Sequence, residues 1–188
     1  MRIFAAIQPP LQIREAIAKY VTGLRSEFRD TPFKWESVEK LHITLKFEGN
    51  LDENRLENFL SAARSAASHS AFEVRIEKTG AFTRGRGPNI LWLGIGRGRE
   101  SLTRISSEIE SSLTAGGKFQ PSVNFNPHIT IARLKPRGNY ERLICKHLDT
   151  DFPELEFTAS DIAVFKSELT PTGSLYTRIA AVPFCGRR

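Results

Sequence analysis

The chain is poor in the residues that mark several protein classes. Its two cysteines, Cys145 and Cys185, stand far apart in 188 residues and without metal-ligand spacing. That excludes a disulfide scaffold and a cysteine-built zinc centre. Both thiols read as small packing residues, reduced, in a reducing compartment, and so point to the cytoplasm. No apolar run approaches the ~20 residues that a membrane helix needs, so no membrane partner is expected. There is no Ser- or Pro-rich linker and no low-complexity segment. The opening stretch, MRIFAAIQPP, carries one basic residue and a short apolar run stopped by Pro9 and Pro10; it reads as a first strand and not as a signal peptide. A helical membrane protein, a coiled coil and a disordered tail are all excluded.

What remains is an ordinary globular composition, 40% hydrophobic and 26% charged, long enough for one domain with a sizeable core. Lysine and arginine number 27 against 21 acids, a net charge of +6. That excess favours anionic partners, nucleic acid above all.

Hydrophobic periodicity divides the chain into alternating strands and helices. Strands are predicted over 2–7, 34–36, 41–48, 72–82, 89–95, 125–133, 155–164 and 175–182. A helix runs from Leu11 to Leu24 and is broken at Thr31-Pro32. A second, capped by Asp52, reaches Ala67. A third covers 100–113 and ends at Gly116-Gly117, and a short fourth covers 140–148. The segment 83–88 reads as a hairpin connection. Strands adjacent in sequence, mixed with helices, predict an α+β fold with largely antiparallel sheets.

One short pattern occurs twice, His42-Ile43-Thr44-Leu45 and His128-Ile129-Thr130-Ile131, 86 residues apart. Given this chain's composition, chance produces such a pair about once in a thousand. Side chains alternate across a strand, so each His shares a face with its Thr while the apolar residues bury behind them. Imidazole titrates near neutrality, so one ring can accept a proton while the other donates one. Threonine hydroxyls suit the non-bridging oxygens of a phosphate between them. This composition serves an in-line displacement at phosphorus without a metal or other cofactor. A 2′,3′-cyclic phosphate of RNA fits it, because its strained ring leaves readily.

At these residues the chain resembles the two-histidine (2H) phosphoesterases, and most closely the LigT-type RNA 2′,3′-cyclic phosphodiesterases of bacteria and archaea, formerly described as 2′-5′ RNA ligases. The likeness covers nearly the whole chain: the first strand, Leu41 to Gly49 (LHITLKFEG), Gly80 to Phe82 with Ile90 to Gly94 (ILWLG), Phe125 to Arg133 (FNPHITIAR), and Ser167 to Tyr176 (SELTPTGSLY). The resemblance implies a single bilobal domain over 1–188, with two pseudo-symmetric lobes. Each lobe would be a small, mostly antiparallel sheet with outer helices, and the two would face a central cleft. It implies His128 as the proton acceptor that activates water and His42 as the donor to the leaving 3′ oxygen, giving a 2′-phosphate. The roles would exchange in the reverse direction, the route to 2′-5′ ligation. Thr44 and Thr130 would hold phosphate oxygens.

Lys46, four residues after His42, falls on the same strand face and is a candidate phosphate ligand. Arg133 is a family-matched candidate for the same task, but lies five residues after His128. That odd offset faces away unless a bulge re-aims it. Tyr176, Trp35 and Phe4 are candidates to line the cleft and touch a base. The Arg-Gly stretches 84–87 and 96–99 read as hairpin connections. His69 and His147 lack the motif and read as surface residues. The expected partners are RNA with a 2′,3′-cyclic phosphate or a 2′-5′ linkage, or small nucleotide cyclic phosphates, acted on by a monomer. An RNA- or nucleotide-binding module without turnover is the alternative. A zinc hydrolase would need a third ligand, and no His, Cys or Asp cluster near either motif supplies one.

Overall fold

A computed structural model describes residues 1–29, 33–49, 51–82, 90–115, 125–135, 138–171 and 173–186. In chain order these form β1 (Arg2–Ile7), α1 (Leu11–Glu27), β2 (Phe33–Trp35), a 3₁₀ turn (Val38–Lys40), β3 (Ile43–Glu48), α2 (Glu53–Ala66), β4 (Phe72–Phe82), β5 (Ile90–Ile95), α3 (Arg99–Thr114), β6 (His128–Leu134), α4 (Glu141–Leu148), β7 (Leu155–Ala159), β8 (Asp161–Thr170) and β9 (Gly173–Pro183). The expected breaks at Thr31-Pro32 and Gly116-Gly117 and the connection 83–88 lie outside the described residues.

All strand pairs are antiparallel, in the order β7-β4-β5-β6-β3-β1-β8-β9, with β2 on β6. The fold class is α+β, as expected. The expected pair of small sheets proves continuous, because the two innermost strands, β3 and β6, join through Ile43 and Ile129. About that junction the halves correspond: β3-β1-β8-β9 on one side, β6-β5-β4-β7 on the other. The first half draws strands from both ends of the chain, and the second is built from the stretch between them. The predicted strand 155–164 is in fact two, β7 on β4 and β8 on β1. The chain crosses between lobes at Ser160, and no glycine or proline marks the break in the sequence.

Helices cover one face of the sheet. On α1, Ile13, Ile17, Val21 and Leu24 recur at helical spacing and are buried. The Asp52 carboxylate caps α2 by accepting from the Arg55 amide at 2.8 Å. On α3, Leu102, Ile105, Ile109 and Leu113 pack inward, and the helix starts at Gly98, whose φ of +86° a side chain would strain. These stripes meet Ile3, Ala5, Ile7, Ile43, Leu45, Leu91, Leu93, Ile129 and Ile131 from the strands in one contiguous core. The opposite face carries a small apolar group of Phe4, Ala6, Ala163 and Phe165, with Tyr176 against it. That face holds the cleft.

His147 is the clearest departure from the sequence reading, since it is fully buried. Its Nδ1 accepts from the Tyr20 hydroxyl at 2.8 Å, and its Nε2–H donates to the Gly80 and Trp92 carbonyls at 3.1 Å. Burial pushes the Tyr20 phenol up to about 12 and holds His147 below the ordinary imidazole range. The ring ties α1 and α4 to the β4–β5 pair. His69 is half-buried and pairs with Glu108 at 2.7 Å. Cys145 and Cys185 are free and exposed, not packed. No helix is long and apolar enough to cross a membrane, among the described residues.

Candidate active site

Both His motifs lie where the two halves meet. The antiparallel register about Ile43 and Ile129 sets His42 across from Thr130 and Thr44 across from His128. The two isoleucines bury in the core, so the four polar side chains take the cleft face.

Each imidazole is held in the same way. His42 donates Nδ1–H to the Lys40 carbonyl at 2.6 Å, and His128 donates Nδ1–H to the Asn126 carbonyl at 2.7 Å. A donor committed at Nδ1 leaves Nε2 as the edge that exchanges protons. On His42 that edge meets the Thr44 hydroxyl at 3.0 Å. Rings pack around both imidazoles. Phe4 lies 4.8 Å from His42 and Tyr176 meets it edge-on at 5.7 Å. Phe82 meets His128 edge-on at 5.1 Å, with Trp92 at 6.1 Å. Burial lowers His42 below its ordinary range; the Lys40 carbonyl and the Glu36 carboxylate pull it back up, while Arg133 and His128 push down. Burial also lowers His128, opposed by the Asn126 carbonyl and reinforced by Arg133. Burial thus biases both rings toward the neutral form.

A cavity of about 510 Å³ opens on the His42 side. Thr44, Phe4, Tyr176 and Arg133 line it with His42, together with Arg2, Lys34 and Lys40. Arg133 reaches this face because β6 carries a bulge. Thr130 pairs with Trp92 and Ala132 with Leu91, so Ile131 is an extra residue and everything after it changes face. The matching bulge in β3 falls at Leu45, between Thr44 opposite Ala6 and Lys46 opposite Ala5. The carbonyls of the two bulged residues find partners off the ladder: Ser106 Oγ donates to Leu45 at 2.7 Å, and the Glu36 amide to Ile131 at 2.9 Å.

The same device overturns the reading of Lys46. The bulge turns it to the helix face, where it is 4% exposed. Its ammonium pairs with Glu110 on α3 at 2.8 Å and with Glu48 at 3.2 Å. It cannot meet a phosphate in the cleft. Phe47 takes the cleft position instead. Trp35 is also corrected. It pairs with Ala132 on the core side of β6 and packs against the core, while its neighbours Lys34 and Glu36 line the cavity.

Sequence reasoning missed Glu36, whose carboxylate accepts from Arg133 Nε at 2.9 Å. It missed Phe165, stacked behind Phe4 at 5.1 Å, and the roles of Phe82 and Trp92 beside His128. Alternation along 34–36 could have found Glu36; nothing in the sequence reports the ring packing. Arg97 and Arg99 are engaged by Glu156 and Asn126. Among the described residues, no three His, Cys, Asp or Glu side chains cluster as a metal site requires.

Comparison with known proteins matches residues 9–171 to the model of the 2′-5′ RNA ligase superfamily. The RNA 2′,3′-cyclic phosphodiesterase of Methanocaldococcus jannaschii is 35% identical over 94% of this chain and 96% of its own length. The protein of the same name from Thermotoga maritima is 30% identical over 99% and 97%. The crystal structure of TT0787 of Thermus thermophilus covers 100% of both chains with a TM-score of 0.81 at 24% identity. That of E. coli LigT complexed with 3′-AMP covers 97% of both with a TM-score of 0.76 at 21% identity. At these identities the structural likeness is one of fold.

Proposed function

This chain belongs to the 2′-5′ RNA ligase superfamily, and we infer that it opens 2′,3′-cyclic phosphate ends of RNA to 2′-phosphates by acid–base catalysis between His42 and His128, without a metal. The names of its curated relatives support the activity and substrate class. The observation that carries the mechanism is the paired imidazole geometry. Two rings with Nδ1–H committed to carbonyls keep Nε2 for proton exchange, on facing strands and each with a hydroxyl two residues away on the same strand face.

Neutral His128 Nε2 takes a proton from water as the water oxygen bonds to phosphorus. The P–O3′ bond breaks, and protonated His42 gives its Nε2 proton to O3′. The products are a 2′-phosphate and a 3′-hydroxyl; His128 ends protonated and His42 neutral, and solvent exchange resets them. The cyclic phosphate brings a negative charge into the cleft, which raises the depressed His42 imidazole and charges it when substrate is present. Thr44 and Thr130 donate to the non-bridging oxygens, and the Arg133 guanidinium offsets their charge. O3′ must lie at His42, so the terminal nucleoside occupies the 510 Å³ cavity lined by Phe4, Tyr176 and Arg133. A 5′-hydroxyl in place of water gives a 2′-5′ linkage by the same two proton transfers. Small nucleotide cyclic phosphates meet the same requirements.

Both halves of the site come from one chain, and one lobe is closed by strands from both ends of it with the other lobe in between, so we take 1–188 as one bilobal unit acting as a monomer. Two free, exposed thiols suit the reducing cytoplasm.

The test is hydrolysis, in EDTA, of an oligoribonucleotide ending in a 2′,3′-cyclic phosphate. Wild type should form a 2′-phosphate, and His42→Ala and His128→Ala should each lose about 10²- to 10⁴-fold in kcat while keeping the wild-type fold. A 3′-phosphate product, inhibition by the chelator, or full activity in either variant overturns the mechanism.

A further inference from the structure

The two motifs are near copies, yet the proposed reaction needs them to differ: one imidazole must react neutral and the other protonated. On their own strands they differ by one hydroxyl contact, Thr44 to His42 Nε2 at 3.0 Å, and a hydroxyl can donate or accept and so selects neither protonation state. Each donates Nδ1–H to the carbonyl two residues earlier, and each is held down by burial.

The difference stands across the cleft. Glu36 follows β2, and its amide is pinned to the carbonyl of the bulged Ile131 at 2.9 Å. Its side chain is only 9% exposed and accepts from Arg133 Nε at 2.9 Å. It lines the His42 cavity among Arg2, Lys34, Lys40 and Arg133, with Tyr176 on the neighbouring wall, and no other acid lines that cavity among the described residues. A carboxylate in a phosphate site has the wrong sign for binding, so its place there calls for another use. By taking Nε it fixes the guanidinium plane of Arg133, which lines the cavity, without engaging the two terminal amino groups.

We propose that Glu36 is a positioning residue that breaks the symmetry of the two imidazoles: it orients Arg133 for the phosphate and, from the His42 side of the cleft, makes His42 the ring that carries the proton. This rests on the hydrolytic reading above. Glu36 and His42 line the same cavity and His128 is not among its lining residues; the charge of Glu36 raises the proton affinity of His42 against burial, Arg133 and His128, which lower it. Glu36 thus costs some anion affinity and supplies the acid.

Two measurements test this, one of them independent of substrate. Histidine-labelled protein is titrated by NMR as wild type, Glu36→Gln, Glu36→Asp and, as a control on the exposed 3₁₀ turn outside the cavity, Glu39→Gln. In Glu36→Gln the His42 midpoint should fall by about half to one pH unit and that of His128 by clearly less. Glu36→Asp should restore most of the His42 value, and Glu39→Gln should change neither. In kinetics on the cyclic-phosphate oligonucleotide, the alkaline limb of kcat/KM reports the acid. In Glu36→Gln it should move to lower pH, kcat should fall, and inhibition by inorganic phosphate should tighten about two- to fivefold because a negative charge has left the site. A residue that merely braced the fold would weaken phosphate binding along with kcat. Equal movement of both imidazoles, or none at His42, overturns the proposal. The titration gives that answer even if the wild-type protein fails to turn over the oligonucleotide, so the two failures are distinct.

Discussion

Replacing Lys46 by alanine should damage stability and spare substrate binding, the reverse of what its place in the first motif suggests. The ammonium is 4% exposed and sits between Glu110 on α3 at 2.8 Å and Glu48 at 3.2 Å, both carboxylates largely buried, at 16% and 13% exposure. Removing one partner of a fully buried ion pair costs about 3–5 kcal/mol, and partial hydration of these carboxylates reduces that to about 2–4 kcal/mol. In a chain of this size about 2–4 °C of Tm accompanies each kcal/mol, so Tm should fall by roughly 5–15 °C. Steady-state kinetics well below the transition should show KM within about twofold of wild type, because the side chain is on the helix face of β3 and the cleft is on the other. The double variant Lys46→Met with Glu110→Leu removes the stranded charge at that position and should recover part of the loss, a coupling that a double-mutant cycle reads directly. A Lys46→Ala protein with wild-type Tm and a tenfold higher KM would refute the bulge as the feature that turns Lys46 away.

Two further predictions concern the His128 side and the histidines together. A Cβ at Gly80 would overlap the six-membered ring of Trp92, so Gly80→Ala must displace the indole that packs beside His128. Both kcat and Tm should fall, with stability reduced by an overpacking cost of about 1–3 kcal/mol, and wild-type values for both would show that the indole does not hold the ring. Burial holds His42, His128 and His147 below the imidazole's ordinary value of 6.5. The unfolded chain therefore takes up these protons first as pH falls. The stability they allow is complete above about pH 7 and is lost as pH drops from the unfolded value towards the folded ones. Thermal melts should show Tm flat from pH 8 to 7 and falling by pH 5.5. A Tm that rises on acidification would mean that the rings are charged in the folded protein.

The motif pair was legible because it obeys strand alternation up to its threonine: apolar residues sink, and His and Thr share the opposite face. The helices were legible for the same kind of reason. Asp52 caps where the apolar spacing of α2 begins, and 72–82 was bounded to the residue as β4. His147 was not, because a buried imidazole with partners on α1, β4 and β5 has no local signature; its partners Tyr20 and Gly80 are distant in sequence. Nor was the break at Ser160, where the chain leaves one lobe for the other with no glycine or proline to mark it and with strand formers on both sides, Phe157 and Thr158 before it and Ile162 and Val164 after it.

The limit of alternation is sharpest one residue past each threonine. Leu45 and Ile131 are ordinary β-formers, and no glycine or proline marks them as bulged; only the register of β1 against β3 and of β5 against β6 shows it. Yet this one inserted step decides every residue downstream. It buries Lys46, whose even spacing from His42 had placed it in the cleft, and brings in Arg133, whose odd spacing from His128 had placed it outside. The bulged carbonyls are then met from different quarters: Ser106 of α3 closes the one at Leu45, and the backbone of Glu36 closes the one at Ile131. The second closure carries an acid into the cleft and the first does not. Two near-identical motifs with matching bulges thus acquire unlike surroundings, because the segments that complete them are unlike. Asymmetry of that origin is written in residues 33–36 and in α3, outside both motifs, where the search for a repeated pattern does not look.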